Sequence, residues 1–171
     1  MSILNILMYP DNNLRLKAKI VKRIDSTIKK NVHDMLDTMY EKEGIGLAAT
    51  QVNINLRIIV VDISATRTEG IVIINPMILK KNGKTGIQEG CLSIPGEQIF
   101  VPRSKNIKIV GLNIKGEKVE ISTDGLLSIC FQHEVDHLNG ILFIDYLSKF
   151  YKNQIYKKML RLKKLKEKNI F

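Results

Sequence analysis

Two histidines four residues apart, with a glutamate directly after the first, restrict this chain more than any other feature: His133-Glu134-Val135-Asp136-His137. On an α-helix, positions four apart differ by roughly 40° in azimuth and about 6 Å in rise, so both imidazoles can reach one ion. Glu134 points elsewhere around the helix, within reach of water on that ion but badly placed as a further ligand, which makes it a general-base candidate. A third protein ligand has to come from another part of the chain. No histidine follows His137, and the one glutamate downstream, Glu167, is stranded among lysines. Asp145 offers an oxygen, provided that Gly140 to Ile144 fold back sharply. Cys130 shares the histidine face but lies about 10 Å along the axis from His137, which suits a pocket wall better than a ligand. Cys91, in Glu89-Gly90-Cys91-Leu92-Ser93, sits where glycine permits close backbone approach, and a cysteine on such a segment can swing onto the ion.

At 171 residues, 44% hydrophobic and 26% charged, the chain suits one globular domain with a sizeable core. No segment has the ~18 consecutive apolar residues that span a bilayer. The run Ile3 to Met8 lacks the basic start and cleavage site of a signal peptide, so the cytoplasm is the expected compartment. There the two cysteines serve metal binding or burial rather than a disulfide. Of the formal charge of +10, a net +8 falls between Lys149 and Lys168. Leu147, Tyr151, Ile155, Met159 and Leu162 recur through that stretch at helical spacing. We therefore expect residues 1–148 to form a single catalytic domain and residues 149–171 a basic amphipathic helix packed on it. Its other face is either merely solvated or attracts a polyanion, ribosomal RNA or an acidic membrane surface without insertion; nothing in the chain resembles a DNA-reading motif.

Asp25 or Ser26 can cap a first helix with a buried stripe of Ile28, Val32, Met35, Leu36 and Met39, ending before Gly44. His33 lies beside that stripe and reads as a partly exposed structural residue. Short β-branched runs follow at Arg57 to Asp62, Ile71 to Asn75, Asn106 to Leu112 and Lys118 to Ser122, with a turn at Lys115-Gly116. From Thr123 or Asp124 a second helix carries Leu126, Ile129, Cys130, His133 and His137 along one side. The expected fold class is α+β: short antiparallel strands and hairpins packed around a central helix bearing the histidines.

Three separated segments, Gly44-Ile45-Gly46-Leu47-Ala48-Ala49-Thr50-Gln51, Glu89-Gly90-Cys91-Leu92-Ser93 and Gln132-His133-Glu134-Val135-Asp136-His137, resemble the signature motifs of bacterial peptide deformylases. The resemblance runs from about Ile3 to Leu147 and includes Ile94-Pro95, Val101-Pro102-Arg103 and Asp124-Gly125-Leu126-Leu127. It implies removal of the formyl group from N-formylmethionine on nascent chains, with one divalent metal held by Cys91, His133 and His137. A thiolate with two imidazoles suits Fe(II) or Zn, with Ni or Co as further choices. The resemblance also implies Glu134 as acid and base, and the Gln51 amide with the Leu92 backbone N–H as donors to an oxyanion. Ile45, Ile87, Leu126, Ile129 and Cys130 align with the wall of a methionine pocket, while Gly44, Gly46, Glu89 and Gly90 line the peptide path. Glu89 and Asp136 read as groups that orient arginine or histidine side chains.

Two positions depart from the family pattern: Ile20, where proline is frequent, and Gln98, where many members carry arginine that touches the peptide. Two other classes share some of these features. A zinc peptidase would use the same histidines and glutamate on an internal amide, and an RNA-binding protein with a structural metal would close the site with a fourth ligand. No apolar helix demands a second copy, so a monomer is expected.

Overall fold

The computed structural model describes residues 2–168, so residues 169–171 of the basic C-terminal segment lie outside the described residues. The first helix, α1 (Ser26–Glu41), starts where the Asp25 carboxylate accepts the Ile28 N–H at 3.0 Å. Its stripe of Ile28, Val32, Met35 and Met39 is buried, and His33 is exposed.

The chain then enters a five-stranded antiparallel sheet ordered β1-β2-β3-β6-β7. These strands are β1 (Gly46–Ala48), β2 (Ile58–Val61), β3 (Ile71–Asn82), β6 (Asn106–Leu112) and β7 (Lys118–Thr123). A separate two-stranded hairpin pairs β4 (Thr85–Glu89) with β5 (Ile99–Arg103). The second helix, α2 (Gly125–Leu138), and α1 pack on opposite faces of the larger sheet. The apolar run of β2 shows why. Ile58 and Val60 join Val32, Met35 and Met39 of α1, while Ile59 and Val61 join Phe131, Val135 and Leu138 of α2. A third apolar cluster gathers Ile94, Ile99, Val101, Phe143 and Ile144 under α3 (Lys149–Lys168).

Three expectations are corrected. Strand β3 continues well beyond Asn75, although Pro76 would be expected to stop it. The register shifts between Ile74 and Met77, Asn75 takes a φ of 55°, and its side-chain amide bonds both Val21 N and Val21 O at 2.9 Å. The proline therefore sits in a bulge, where no ladder hydrogen bond is asked of it. Second, β4 and β5 pair in register from Thr85↔Arg103 to Glu89↔Ile99, a hairpin that the β-branched runs did not include. Third, Tyr151 of α3 is 56% exposed, while Ile155 and Met159 of the same stripe are buried. It stands on the wall of a groove between α3 and β5 instead of under the helix.

Candidate metal centre

Helix α2 presents His133 and His137 toward the segment Glu89 to Cys91, with their Nε2 atoms 3.2 Å apart. The Cys91 sulfur lies 3.3 Å from His137 Nε2, and the donor atoms of all three residues fall within 4.8 Å of one another. Tetrahedral coordination with bonds of ~2.0–2.1 Å to nitrogen and ~2.3 Å to sulfur separates donor atoms by about 3.3–3.6 Å. The cluster fits a single divalent ion. Asp145 does not belong to it: its carboxylate caps Leu142 N at 2.9 Å and pairs with Arg15 and, at 3.4 Å, with Lys152. That removes the oxygen-ligand alternative, because the chain after Gly140 does fold back but turns Asp145 toward Arg15.

The hairpin supplies what orients His133. Both Glu89 oxygens accept from Arg103, at 2.7 Å from Nε and 2.9 Å from Nη2, and Oε2 also takes the His133 Nδ1 proton at 2.8 Å. With Nδ1 donating, the Nε2 lone pair of His133 faces the ion site. Burial alone would raise the Glu89 carboxyl, but Arg103 and His133 outweigh it and hold it below its usual range. Arg103 Nη1 reaches Asp136 Oδ2 at 2.5 Å, and the Tyr146 hydroxyl donates to the same oxygen at 3.0 Å. Gln132 locks α2 to the end of the hairpin by accepting Ser104 N at 3.0 Å and donating to Ser104 O at 2.9 Å. Burial, with the nearby Arg103 and Arg15 guanidiniums adding to it, pushes His137 well below its ordinary value, which keeps it a neutral donor.

Glu134 is 3% exposed, and its Oε2 has no protein hydrogen-bond partner among the described residues. Burial, opposed by His133 and reinforced by Glu89, pushes its carboxyl up to about 7. Gly46 makes room for it: a Cβ there would stand 2.4 Å from Glu134 Oε1 and 2.8 Å from the Cys130 sulfur. Gln51, on the 3-10 turn Ala49–Val52, accepts Ala48 N at 2.9 Å through Oε1. Its Nε2 is left to reach Ser93 Oγ at 3.2 Å and the Cys91 sulfur at 3.5 Å. The Leu92 N–H makes no backbone hydrogen bond among the described residues.

These groups open into a cavity of ≈ 460 Å³. Gly44, Ile45 and Gly46 line it together with Ile87, Glu89 and Gly90. Leu126, Ile129 and Cys130 close the wall, and Gln51, Cys91, Leu92, His133 and Glu134 complete the lining. Cys130 donates weakly to Ile45 O at 3.5 Å, and burial raises its thiol well above the ordinary value, so it stays a neutral wall residue. His137 lies behind this surface, 1% exposed. Arg103 and Gln132 lie in segments that carry the family resemblance, but their tying roles and that of Tyr146 depend on partners that only the fold brings near.

The chain matches the family model for polypeptide deformylase over residues 3–153. It belongs to the polypeptide deformylase family. Its relatives include a peptide deformylase of Hamiltonella defensa, 56% identical across 98% of both chains, and one of Buchnera aphidicola, 55% identical across 98% of this chain and 97% of that one. Among solved structures, a peptide deformylase from Legionella pneumophila superposes with a TM-score of 0.92 at 41% identity, covering 97% of this chain and 98% of that one. The structure of the deformylase from Ehrlichia chaffeensis in complex with actinonin superposes with a TM-score of 0.88 at 39% identity, covering 92% of this chain and 96% of that one. Family membership and the α+β architecture thus agree with the reading of the three motifs.

Proposed function

We propose that this protein hydrolyses the N-terminal formamide of formylmethionyl peptides, releasing formate and a free amino terminus. The observation that carries the reading is the convergence of Cys91, His133 and His137 beside a buried Glu134 at the inner end of a largely apolar cavity. Cys91 Sγ and the two Nε2 atoms would hold a divalent ion, which would supply Lewis acidity and lower the pKa of its water. Glu134 takes the proton of the attacking water on its carboxylate and passes it to the departing amine nitrogen as the C–N bond breaks. Burial, which raises this carboxyl, suits it to exchange a proton with groups that enter the cavity. The Gln51 Nε2 and Leu92 N–H donate to the oxygen that gains charge when water adds to the formyl carbon. Ile45, Ile87, Leu126, Ile129 and Cys130 hold the unbranched methionine side chain, and the backbone of Gly44 to Gly46 and of Gly90 pairs with the peptide in extended form.

The preferred ion is Fe(II) or Zn, with Ni or Co as alternatives that this donor set also accepts. Residues 1–148 act as the catalytic domain, in the cytoplasm and as a monomer. The basic face of residues 149–171 contacts the ribosome near emerging chains, a role supported by its net charge of +8 between Lys149 and Lys168. DNA is not a partner on this reading. The test compares a formyl-Met tripeptide with its acetylated and unblocked counterparts, following formate by coupled assay and fragments by chromatography. Formate release from the first alone is expected; preferential cleavage of either counterpart overturns deformylation in favour of peptidase chemistry.

A further inference from the structure

Beside the Glu134 cavity a groove of ≈ 720 Å³ opens between the β4–β5 hairpin and α3. Gln88, Glu97 and Gln98 line both, so the two share a rim. Phe100 of β5 and Tyr151 of α3, 58% and 56% exposed, present open aromatic surface to the groove. Gln88, Gln98 and Gln154 line it too, and none of the three side chains makes a hydrogen bond within the protein among the described residues. The charged pair at its edge neutralises itself, Lys158 Nζ lying 2.5 Å from Glu97 Oε1.

An amide side chain both donates and accepts, so it can pair with peptide N–H and C=O groups whatever the sequence. Aromatic faces take apolar side chains. A wall of amides and rings with no unpaired cation suits an extended, uncharged polypeptide and gives little hold on phosphates. We propose that this groove receives the substrate chain downstream of its formylmethionine, with Phe100 and Tyr151 gripping an apolar side chain and the glutamines pairing with the backbone. The proposal rests on the deformylase reading and extends it from the first residue to the segment that follows. A chain anchored in the cavity advances about 3.3–3.6 Å per residue, so a few residues past the methionine carry it across the shared rim. Gln98 at that rim accepts this path without adding charge.

The experiment measures kcat and KM for formyl-Met-Ala-Ser and for peptides extended from it by three to six residues carrying phenylalanine, leucine or aspartate. Wild-type protein, Phe100→Ala and Tyr151→Ala are compared. Extension with an apolar residue is expected to lower KM and raise kcat/KM about fivefold in the wild type, with aspartate giving no gain. Both variants lose most of that gain while hydrolysing the tripeptide at the wild-type rate, which also reports that they are folded. Should Phe100→Ala fail to fold, Tyr151→Ala on the opposite wall carries the test. Equal kcat/KM at every length, or a gain that survives both substitutions, overturns the inference. Failure of all forms to hydrolyse the tripeptide instead sinks the deformylase reading itself.

Discussion

The Glu134 carboxylate meets no protein donor at Oε2 among the described residues, is enclosed by Gly46 and Cys130, and sits one residue from a histidine of the ion site. A buried acid in such a place is useful only if it trades protons with something that enters the cavity. Glu134→Gln keeps the shape and removes the base. Its kcat is expected to fall by about 10²–10⁴-fold, while bound metal per chain, measured by elemental analysis, stays at the wild-type value. Loss of metal in parallel with activity would make Glu134 a structural support for the ion. Cys91 illustrates what a single residue leaves undecided in the sequence. Its neighbour Gly90 and the extended look of its segment permit ligation, but Asp145 offers an oxygen as well. Helix spacing already makes Cys130 a wall residue, as its contact with Ile45 bears out, while only the fold shows Asp145 spent on Arg15 and Leu142.

Arg103 joins the hairpin to the helix that bears the histidines. It is 7% exposed and meets Glu89 and Asp136, residues far from it in sequence but adjacent in space. Arg103→Met would strand two carboxylates, one of them buried, and is expected to cost about 3–5 kcal/mol of unfolding free energy in urea titrations. It should weaken metal retention as well, since Glu89 would lose its hold on His133. The bulge in β3 allows a milder check. Asn75→Ala removes both bonds to Val21 and is expected to destabilise by about 1–3 kcal/mol without altering kcat. Elements with a period of their own, α1, α2 and β6, were legible because apolar spacing alone specifies them. Strand β4, Thr-Gly-Ile-Gln-Glu, was not, since its stability comes from pairing with β5 and its composition is that of a loop. The motif on α2 was equally legible because its two ligands are local. Arg103 and Gln132 were not, because their partners are set by tertiary packing.

On the scale of the whole molecule, one sheet lies between α1 and α2, and α3 covers a separate apolar cluster through Ile155 and Met159. No helix among the described residues is long and apolar enough to cross a membrane. Because α3 contributes to that cluster, the proposed ribosome contact is better probed by charge than by deletion. Replacing Lys157, Lys163 and Lys164 with glutamine is expected to weaken co-sedimentation with ribosomes roughly tenfold at low salt, with the difference shrinking as salt rises. Tripeptide hydrolysis should be unchanged. Unaltered co-sedimentation would leave the basic face merely solvated.

On the proposed function, one divalent ion on Cys91, His133 and His137 is what enables this chain to hydrolyse the formamide. The decisive measurement titrates metal-free protein anaerobically with Fe(II) or Zn and records formate release from a formyl-Met peptide at each addition. Activity is expected to be absent at the start and to climb linearly to a plateau at one equivalent per chain. Full formate release from the metal-free protein, or none at any metal content, would contradict it.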